Sequence, residues 1–400
     1  MLHWLFVDLN SYFASVEQQR RPKLRGKPVG VVPVMAETTC CISASYQAKR
    51  FGVKTGTLVA EARKLCPGIQ FIEADHAVYV KYHEAIVEAV ESCLPVASVM
   101  SIDEMACRLT GRDRETENAV ALGREVKRKI LKVGDQLTSS VGLATNRFLA
   151  KVASDMQKPD GLVTLQFVDL PRKLFSLKPK DLPGIGERMD ARLARIGIRT
   201  MEQLYSLDMK QMRNIWGGVG GERFYRWMRG EDFDVEQGEH KTVGHSHVLP
   251  PEFRSPRAAY AVALRLLQKA AIRLRKIRYW ASGLYLSIRY TDRTRWSQEV
   301  RMLECQDTLT LQEVLVSLWK QQPDPKKNPV KISITLLHLL SDHERTFSFF
   351  ENRKRQNLSK AMDEINAKFG KNTIYLAGVH NVLTSAPTRI AFSTIPDLEV

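Results

Sequence analysis

The chain has 400 residues, room for several domains with their own cores, so a small scaffold held together by metal or disulfide staples is excluded. Its 44% hydrophobic and 26% charged residues are globular values, and with no apolar run of about 18 residues and no signal peptide at Met1 a soluble, cytoplasmic chain is expected. The formal charge of +16 points to a polyanionic partner, and residues 241–345 hold more than half of the surplus, with 18 basic against 9 acidic side chains.

In chain order, Leu2 to Val7 is the unbroken apolar run that a buried strand needs, and it ends abruptly at Asp8. Asn10 is then expected to cap a helix carrying Phe13 and Val16 on one face. The six cysteines (Cys40, Cys41, Cys66, Cys93, Cys107, Cys305) form no C-x-x-C pair and read as reduced packing residues rather than a zinc ribbon or a disulfide framework. A second apolar run, Val96 to Ile102, also ends in acid, at Asp103-Glu104, before Met105 to Leu109 resumes an extended pattern; this predicts a hairpin with carboxylates at its bend. Asn146 is placed to cap a helix with apolar Phe148, Leu149, Val152, Ala153 and Met156, which stops at Lys158-Pro159-Asp160-Gly161.

From about 168 to 232 the pattern is helical with short loops, and Leu182-Pro183-Gly184-Ile185-Gly186 precedes an arginine-rich helix from Arg188 to Ile196. The acidic stretch Glu231 to Glu239 reads as a linker. Beyond it a long basic helix, Ala258 to Trp280, and strands at Gly283 to Arg289 and Val330 to Leu336 predict an α+β module. One further helix is expected at Leu358 to Phe369, and no chemistry is legible from Asn352 to Val400.

Asp8 and the Asp103-Glu104 pair each stand where a buried strand runs out, so adjacent strands would bring three carboxylates together. Such a cluster repels itself unless a cation neutralises it, and oxygen-only ligation with no His or Cys suits Mg²⁺. Two Mg²⁺ ions held by shared carboxylates are the arrangement that activates a 3′-hydroxyl and steadies a leaving pyrophosphate. Solvated turn acids are the alternative. His240, His245 and His247 lack a Cys or acid partner at suitable spacing and are not read as a metal site.

The wording of these segments is more specific. Phe6-Val7-Asp8-Leu9-Asn10-Ser11-Tyr12-Phe13-Ala14-Ser15-Val16-Glu17 and Ser101-Ile102-Asp103-Glu104 closely resemble the signature of the Y-family translesion DNA polymerases, of the polymerase IV type. Ser45 to Val53, Ser140 to Lys151, Lys158 to Gly161 and Leu182 to Gly186 match in the family's order, so the resemblance spans about residues 1–345. It implies an α+β multidomain right-hand polymerase with a palm (1–10 and 74–166), small fingers (11–73), a helical thumb with a helix-hairpin-helix (167–232), an α+β little finger that binds DNA (241–345) and a C-terminal tail (346–400).

The resemblance further implies that Asp8, Asp103 and Glu104 are catalytic and hold two Mg²⁺ ions, with the Leu9 carbonyl as another ligand. Tyr12, Phe13, Ser43, Tyr46, Lys49, Arg50 and Lys158 would contact the incoming dNTP, and Phe13 would be the steric gate against a ribose 2′-hydroxyl. Where the family more often reads Arg-Lys this chain has Lys49-Arg50, which leaves open which of the two grips the triphosphate. Cys40 and Ile42 would face the nascent base pair, and Met105-Ala106-Cys107-Arg108 departs from the family's usual aromatic and acidic positions. DNA contacts are expected at Gly184 and Gly186 and along the basic helix, at Arg273, Arg275, Lys276 and Arg278. Phe347, Phe349 and Phe350 resemble a clamp-docking peptide in which Thr346 stands for the usual Gln. The implied partners are primer-template DNA, dNTPs and a sliding clamp, for a monomer without membrane contact. The implied activity is low-fidelity translesion synthesis; the alternatives are a non-catalytic DNA- and clamp-binding accessory subunit on the same fold, or a structural repair scaffold.

Overall fold

The first strand, β1 (Trp4–Leu9), is buried at every position, as an apolar run at the centre of a sheet must be. In the computed structural model, which describes residues 1–37, 39–233, 241–345, 352–386, 390 and 395, β1 is the middle strand of five. The chain divides into two compact units, one containing Met1–Val235 and the other beginning at Glu236.

In the first unit β1 is followed by α1 (Tyr12–Arg20), β2 (Val29–Val32), β3 (Ser43–Ala44), α2 (Tyr46–Lys49), α3 (Val59–Leu65), β4 (Gln70–Glu73) and α4 (His76–Glu91). Then come β5 (Val96–Val99), β6 (Glu104–Arg108), α5 (Thr116–Val133), β7 (Ser139–Ala144), α6 (Arg147–Met156) and β8 (Leu162–Leu165). The large sheet runs β5-β6-β1-β7-β8, and β3-β2-β4 forms a small sheet of its own over a core of Val32, Cys41, Ala44, Val59 and Ile69. Four short helices complete the unit: α7 (Glu187–Arg195), α8 (Met201–Tyr205), α9 (Met209–Trp216) and α10 (Val219–Met228). Their Leu193, Leu204, Met212 and Phe224 share one apolar cluster with Leu149 and Val152 of α6. In the turn before α7, Gly184 has φ +88°, a left-handed conformation that favours glycine.

Asn10 does not cap α1. Ser11 takes the cap position with φ 49° and makes no side-chain cap bond. The Asn10 amide instead donates to Ser140 Oγ at 2.9 Å, while its Oδ1 accepts from the Asp160 N–H at 2.8 Å, tying the end of β1 to β7 and to the turn after α6. Asn146 does cap α6, accepting from Leu149 N–H at 2.8 Å.

The second unit comprises β9 (Thr242–Val248), α11 (Pro256–Lys276), β10 (Tyr279–Tyr290), β11 (Arg295–Cys305), α12 (Thr308–Lys320), β12 (Pro329–Ser341) and α13 (Arg353–Phe369). Its sheet order is β11-β10-β12-β9, antiparallel throughout. The inward side chains Leu284, Leu286, Ile288, Ile332, Ile334 and Leu336 join Leu267, Leu274, Leu311 and Leu315 of α11 and α12 in one core. The helix expected to run to Trp280 stops at Lys276, because Arg278 adopts φ 57° and turns the chain into β10.

One expected DNA contact of this unit has partners inside the fold. Arg275 is engaged internally: its guanidinium grips Asp363 of α13 at 2.6 and 2.9 Å and donates to the Gln306 carbonyl at 2.7 Å. Its side chain is only 8% exposed. Lys269, one turn and a half earlier, donates to the Ala386 carbonyl at 2.9 Å, and Val379 and Val382 enter the same core. The segment after residue 352, in which no chemistry was legible, therefore covers much of the basic helix; Arg273, Lys276 and Arg278 stay exposed.

Among the described residues no helix is long and apolar enough to cross a membrane. Phe347, Phe349 and Phe350 lie outside the described residues, as do His240 and most of the acidic stretch. His245 is packed beside Lys269 and Arg273, and burial together with those charges pushes its pKa down to about 4.

Candidate active site

β1 lies between β6 and β7, and the antiparallel register sets Asp8 directly opposite Glu104. Asp103 is the residue before β6; its carbonyl accepts from Leu9 N–H at 2.8 Å and its Oδ1 from Ser101 Oγ at 2.6 Å. Adjacent strands thus bring Asp8, Asp103 and Glu104 to the wall of one cleft of about 220 Å³, which Leu9, Ser11, Tyr12, Phe13, Ser43, Tyr46, Lys49, Lys151 and Lys158 also line.

Burial raises the pKa of Asp103, opposed by the Ser101 hydrogen bond and reinforced by Asp8. Burial raises Glu104 as well, against the pull of Lys151. An ion pair would ordinarily lower its acid, so at Glu104 desolvation outweighs the ammonium.

Two lysines neutralise the cluster. Lys151 Nζ lies 2.5 Å from Asp8 Oδ2, 2.7 Å from Glu104 Oε1 and 3.2 Å from Asp155 Oδ2. Lys158 Nζ lies 2.6 Å from Asp8 Oδ2 and 2.7 Å from Asp155 Oδ1. Burial opposes both charges, yet the carboxylates around them raise both pKa values. Lys151 reaches Asp8 because α6 sits directly on β7: a Cβ at Gly142 would come within 1.9 Å of the Ala150 carbonyl oxygen, so only glycine admits this approach.

Among the described residues no group of three His, Cys, Asp or Glu side chains is arranged to hold a metal ion as it stands, and ammonium groups bridge Asp8, Glu104 and Asp155. The donor chemistry nonetheless fits a hard divalent cation. It offers oxygen ligands only, two carboxylates in register and a negative cluster that the fold balances with positive charge.

The two aromatics at the start of α1 have different surroundings. Tyr12 is 3% exposed and its hydroxyl donates to the Tyr79 carbonyl at 2.6 Å. Phe13 is half-buried, and its ring stacks on that of Tyr79 with centroids 4.5 Å apart and planes 18° apart. Tyr79 is itself fixed, its hydroxyl donating to the fully buried Glu17 carboxylate at 2.9 Å, which Arg21 approaches at 3.3 Å.

On the opposite wall Ser45 caps α2, and Lys49 Nζ lies 4.4 Å from the centroid of the Tyr46 ring. Burial, then the charge of Lys158, lowers the Lys49 pKa. Arg50 is exposed and does not line the cleft. Ile42 lines it; Cys40 does not. Gly184, Gly186, Arg273, Lys276 and Arg278 are not part of this cleft.

Sequence reasoning named Lys151 only as part of a motif, gave no place to Asp155 or Tyr79, and named Glu17 only as the end of the first motif. A signal for the first two was present: Lys151, Asp155 and Lys158 succeed one another at intervals of four and three along α6 and the turn that follows it.

Residues 7–155 match the model of the impB/mucB/samB family, 180–232 that of a DNA polymerase-iota thumb domain, and 240–349 that of the impB/mucB/samB family C-terminal domain. The chain is 32% identical over 388 residues to DNA polymerase IV of Moorella thermoacetica, covering 93% of this chain and 95% of that protein. It is 29% identical over 387 residues to DNA polymerase IV 1 of Bacillus subtilis, covering 92% and 91% respectively. Among solved structures it is similar to a chimeric Y-family DNA polymerase, with a TM-score of 0.71, 23% identity and coverage of 86% of this chain and all of that one. It is also similar to DinB from Sulfolobus solfataricus, with a TM-score of 0.57, 23% identity and coverage of 86% and 100%.

Proposed function

Because this chain belongs to the Y family of DNA polymerases, in its polymerase IV-like branch, and is a DNA-directed DNA polymerase, we propose that it carries out low-fidelity translesion synthesis at the cleft lined by Asp8, Asp103 and Glu104. The observation that carries this reading is the convergence in one cleft of those three carboxylates with Phe13, Tyr46, Lys49 and Lys158.

Asp8, Asp103, Glu104 and the Leu9 carbonyl would hold divalent cations, read as two Mg²⁺ ions. When bound, these would activate the primer 3′-hydroxyl and stabilise the leaving pyrophosphate. The chain's own groups do the rest. Lys158, Lys49, Ser43 and Tyr46 bind triphosphate oxygens, helped by the backbone N–H groups that open α1 at Ser11, Tyr12 and Phe13. Lys49, which lines the cleft, is the better candidate than Arg50, which does not. Phe13 lies under the sugar and excludes a 2′-hydroxyl. An accessory subunit or a repair scaffold has no use for three such acids beside a nucleotide pocket.

Gly184 and Gly186, in the turn before α7, would let a duplex phosphate approach the backbone. For the second unit the main grip moves from α11 to the open face of its sheet. Arg295, Arg289 and Lys331 stand in register across β11, β10 and β12. Like charges directly opposite one another are unfavourable unless an anion neutralises them, which suits a row of DNA phosphates. Arg289→Ala should reduce the slope of log K against log salt by about one, since one phosphate contact fewer releases counterions. Arg275→Ala should leave that slope unchanged and cost about 3 kcal/mol of stability, because Asp363 loses its buried partner. Binding titrations over a salt series, together with thermal melting, check both; the reverse pattern would return the grip to the helix.

Primer extension on undamaged templates and on templates with an abasic site or a bulky adduct tests the proposal. Extension past the lesion, with frequent misinsertion, is expected. Accurate synthesis that halts at every lesion would contradict it.

A further inference from the structure

One oxygen of the acidic cluster has two claimants. Asp8 Oδ2 is contacted by Lys151 Nζ at 2.5 Å and by Lys158 Nζ at 2.6 Å, and Lys151 also reaches Glu104 at 2.7 Å. A divalent cation draws on the same carboxylates at closer range, so it and the ammonium groups compete for Asp8 and Glu104. Both lysines also touch Asp155, one at 3.2 Å and the other at 2.7 Å. Asp155 is not among the residues lining the cleft and lies one turn of α6 from Lys151.

We propose that Lys151 is an internal counter-cation that holds Asp8 and Glu104 together while no metal is bound, and that Asp155 is the carboxylate to which it withdraws, with Lys158, when a divalent cation enters. Lys151 is thus a positioning residue that competes with the metal, and Asp155 makes the exchange possible. Without a cation the three carboxylates would repel one another in a poorly solvated wall. With Lys151 they keep their places, at the cost of a weaker hold on metal. An acceptor already in contact with both ammonium groups lets them leave Asp8 without becoming unpaired buried charges.

The inference rests on the reading of Asp8, Asp103 and Glu104 as metal ligands, and Mn²⁺ binding to the full chain, without DNA or nucleotide, tests the two separately. By calorimetric or EPR titration, Lys151→Met should bind Mn²⁺ about tenfold tighter than the parent, whereas Lys151→Arg, which keeps the charge, should stay within about twofold. Metal-free Lys151→Met should melt earlier than the parent and gain more from saturating Mn²⁺.

Asp155→Asn should weaken Mn²⁺ binding about tenfold in the parent, but by less than about twofold when Lys151 and Lys158 are both Met, because no ammonium then needs an acceptor. Unchanged or weaker binding by Lys151→Met would overturn the proposal. So would an Asp155→Asn effect of equal size in both backgrounds, the signature of simple charge loss. Asp103→Asn separates the two failures: if it leaves Mn²⁺ binding intact, the metal-site reading falls; if it abolishes binding while Lys151→Met binds no tighter, the exchange alone falls.

Discussion

Asp103→Asn, nearly isosteric but uncharged, is expected to cut nucleotide addition by roughly a thousandfold or more, because under the proposed function several kcal/mol of transition-state stabilisation by metal would depend on that carboxylate. Primer-template binding should stay within a few fold. The anchors that place residue 103 survive the change: its backbone carbonyl still accepts from Leu9 N–H, and the Asn oxygen can still accept from Ser101 Oγ. The protein should therefore melt near the parent temperature. Single-turnover insertion of one dNTP, measured beside DNA affinity and melting, decides it. Insertion at a near-parental rate would remove Asp103 from the metal centre.

The second large effect is expected at Phe13, where sugar choice and packing make opposite forecasts. The ring is half-buried, faces the cleft and rests on Tyr79, whose hydroxyl is tied to buried Glu17. It therefore has a stiff support on one side and open cleft on the other. Phe13→Ala should raise ribonucleotide insertion by orders of magnitude and change deoxyribonucleotide insertion modestly. Its stability cost should fall below the roughly 3–5 kcal/mol of a fully buried Phe→Ala change. kcat/KM for both sugars, together with Tm, separates the possibilities. Intact sugar discrimination in a protein that melts much earlier would reduce Phe13 to a packing residue.

What the sequence disclosed and what it concealed divide along a physical line. The acids were legible because each ends an apolar run, and strand continuity up to a polar stop is a local property. That Asp8 faces Glu104 in register is a matter of strand pairing, which no single segment encodes. Lys151 was passed over for a related reason. A lysine on an amphipathic helix normally faces water, and only the close packing of α6 on Gly142 brings its ammonium to Asp8.

The misplaced helix cap has a local cause. Asn10 is a good capping residue by type, but the left-handed backbone at Ser11 moves the cap on by one and frees Asn10 to join three segments. The internal partners of Arg275 and Lys269 stayed hidden for a tertiary reason. A charge count cannot distinguish a free cationic face from one covered by later chain, and the segment that covers α11 carries no motif of its own. The register that aligns Arg295, Arg289 and Lys331 was equally invisible, although all three were present in the sequence.

The central claim is that the carboxylates of β1 and β6 hold the metals of nucleotide addition. Anomalous diffraction from crystals of the protein with primer-template DNA, a non-reacting dNTP analogue and Mn²⁺ tests it most directly. The account predicts two Mn²⁺ peaks within ligating distance of Asp8, Asp103 and Glu104, with Lys151 Nζ drawn back to Asp155. Mn²⁺ bound elsewhere, with Lys151 still bridging Asp8 and Glu104 beside a bound nucleotide, would contradict it.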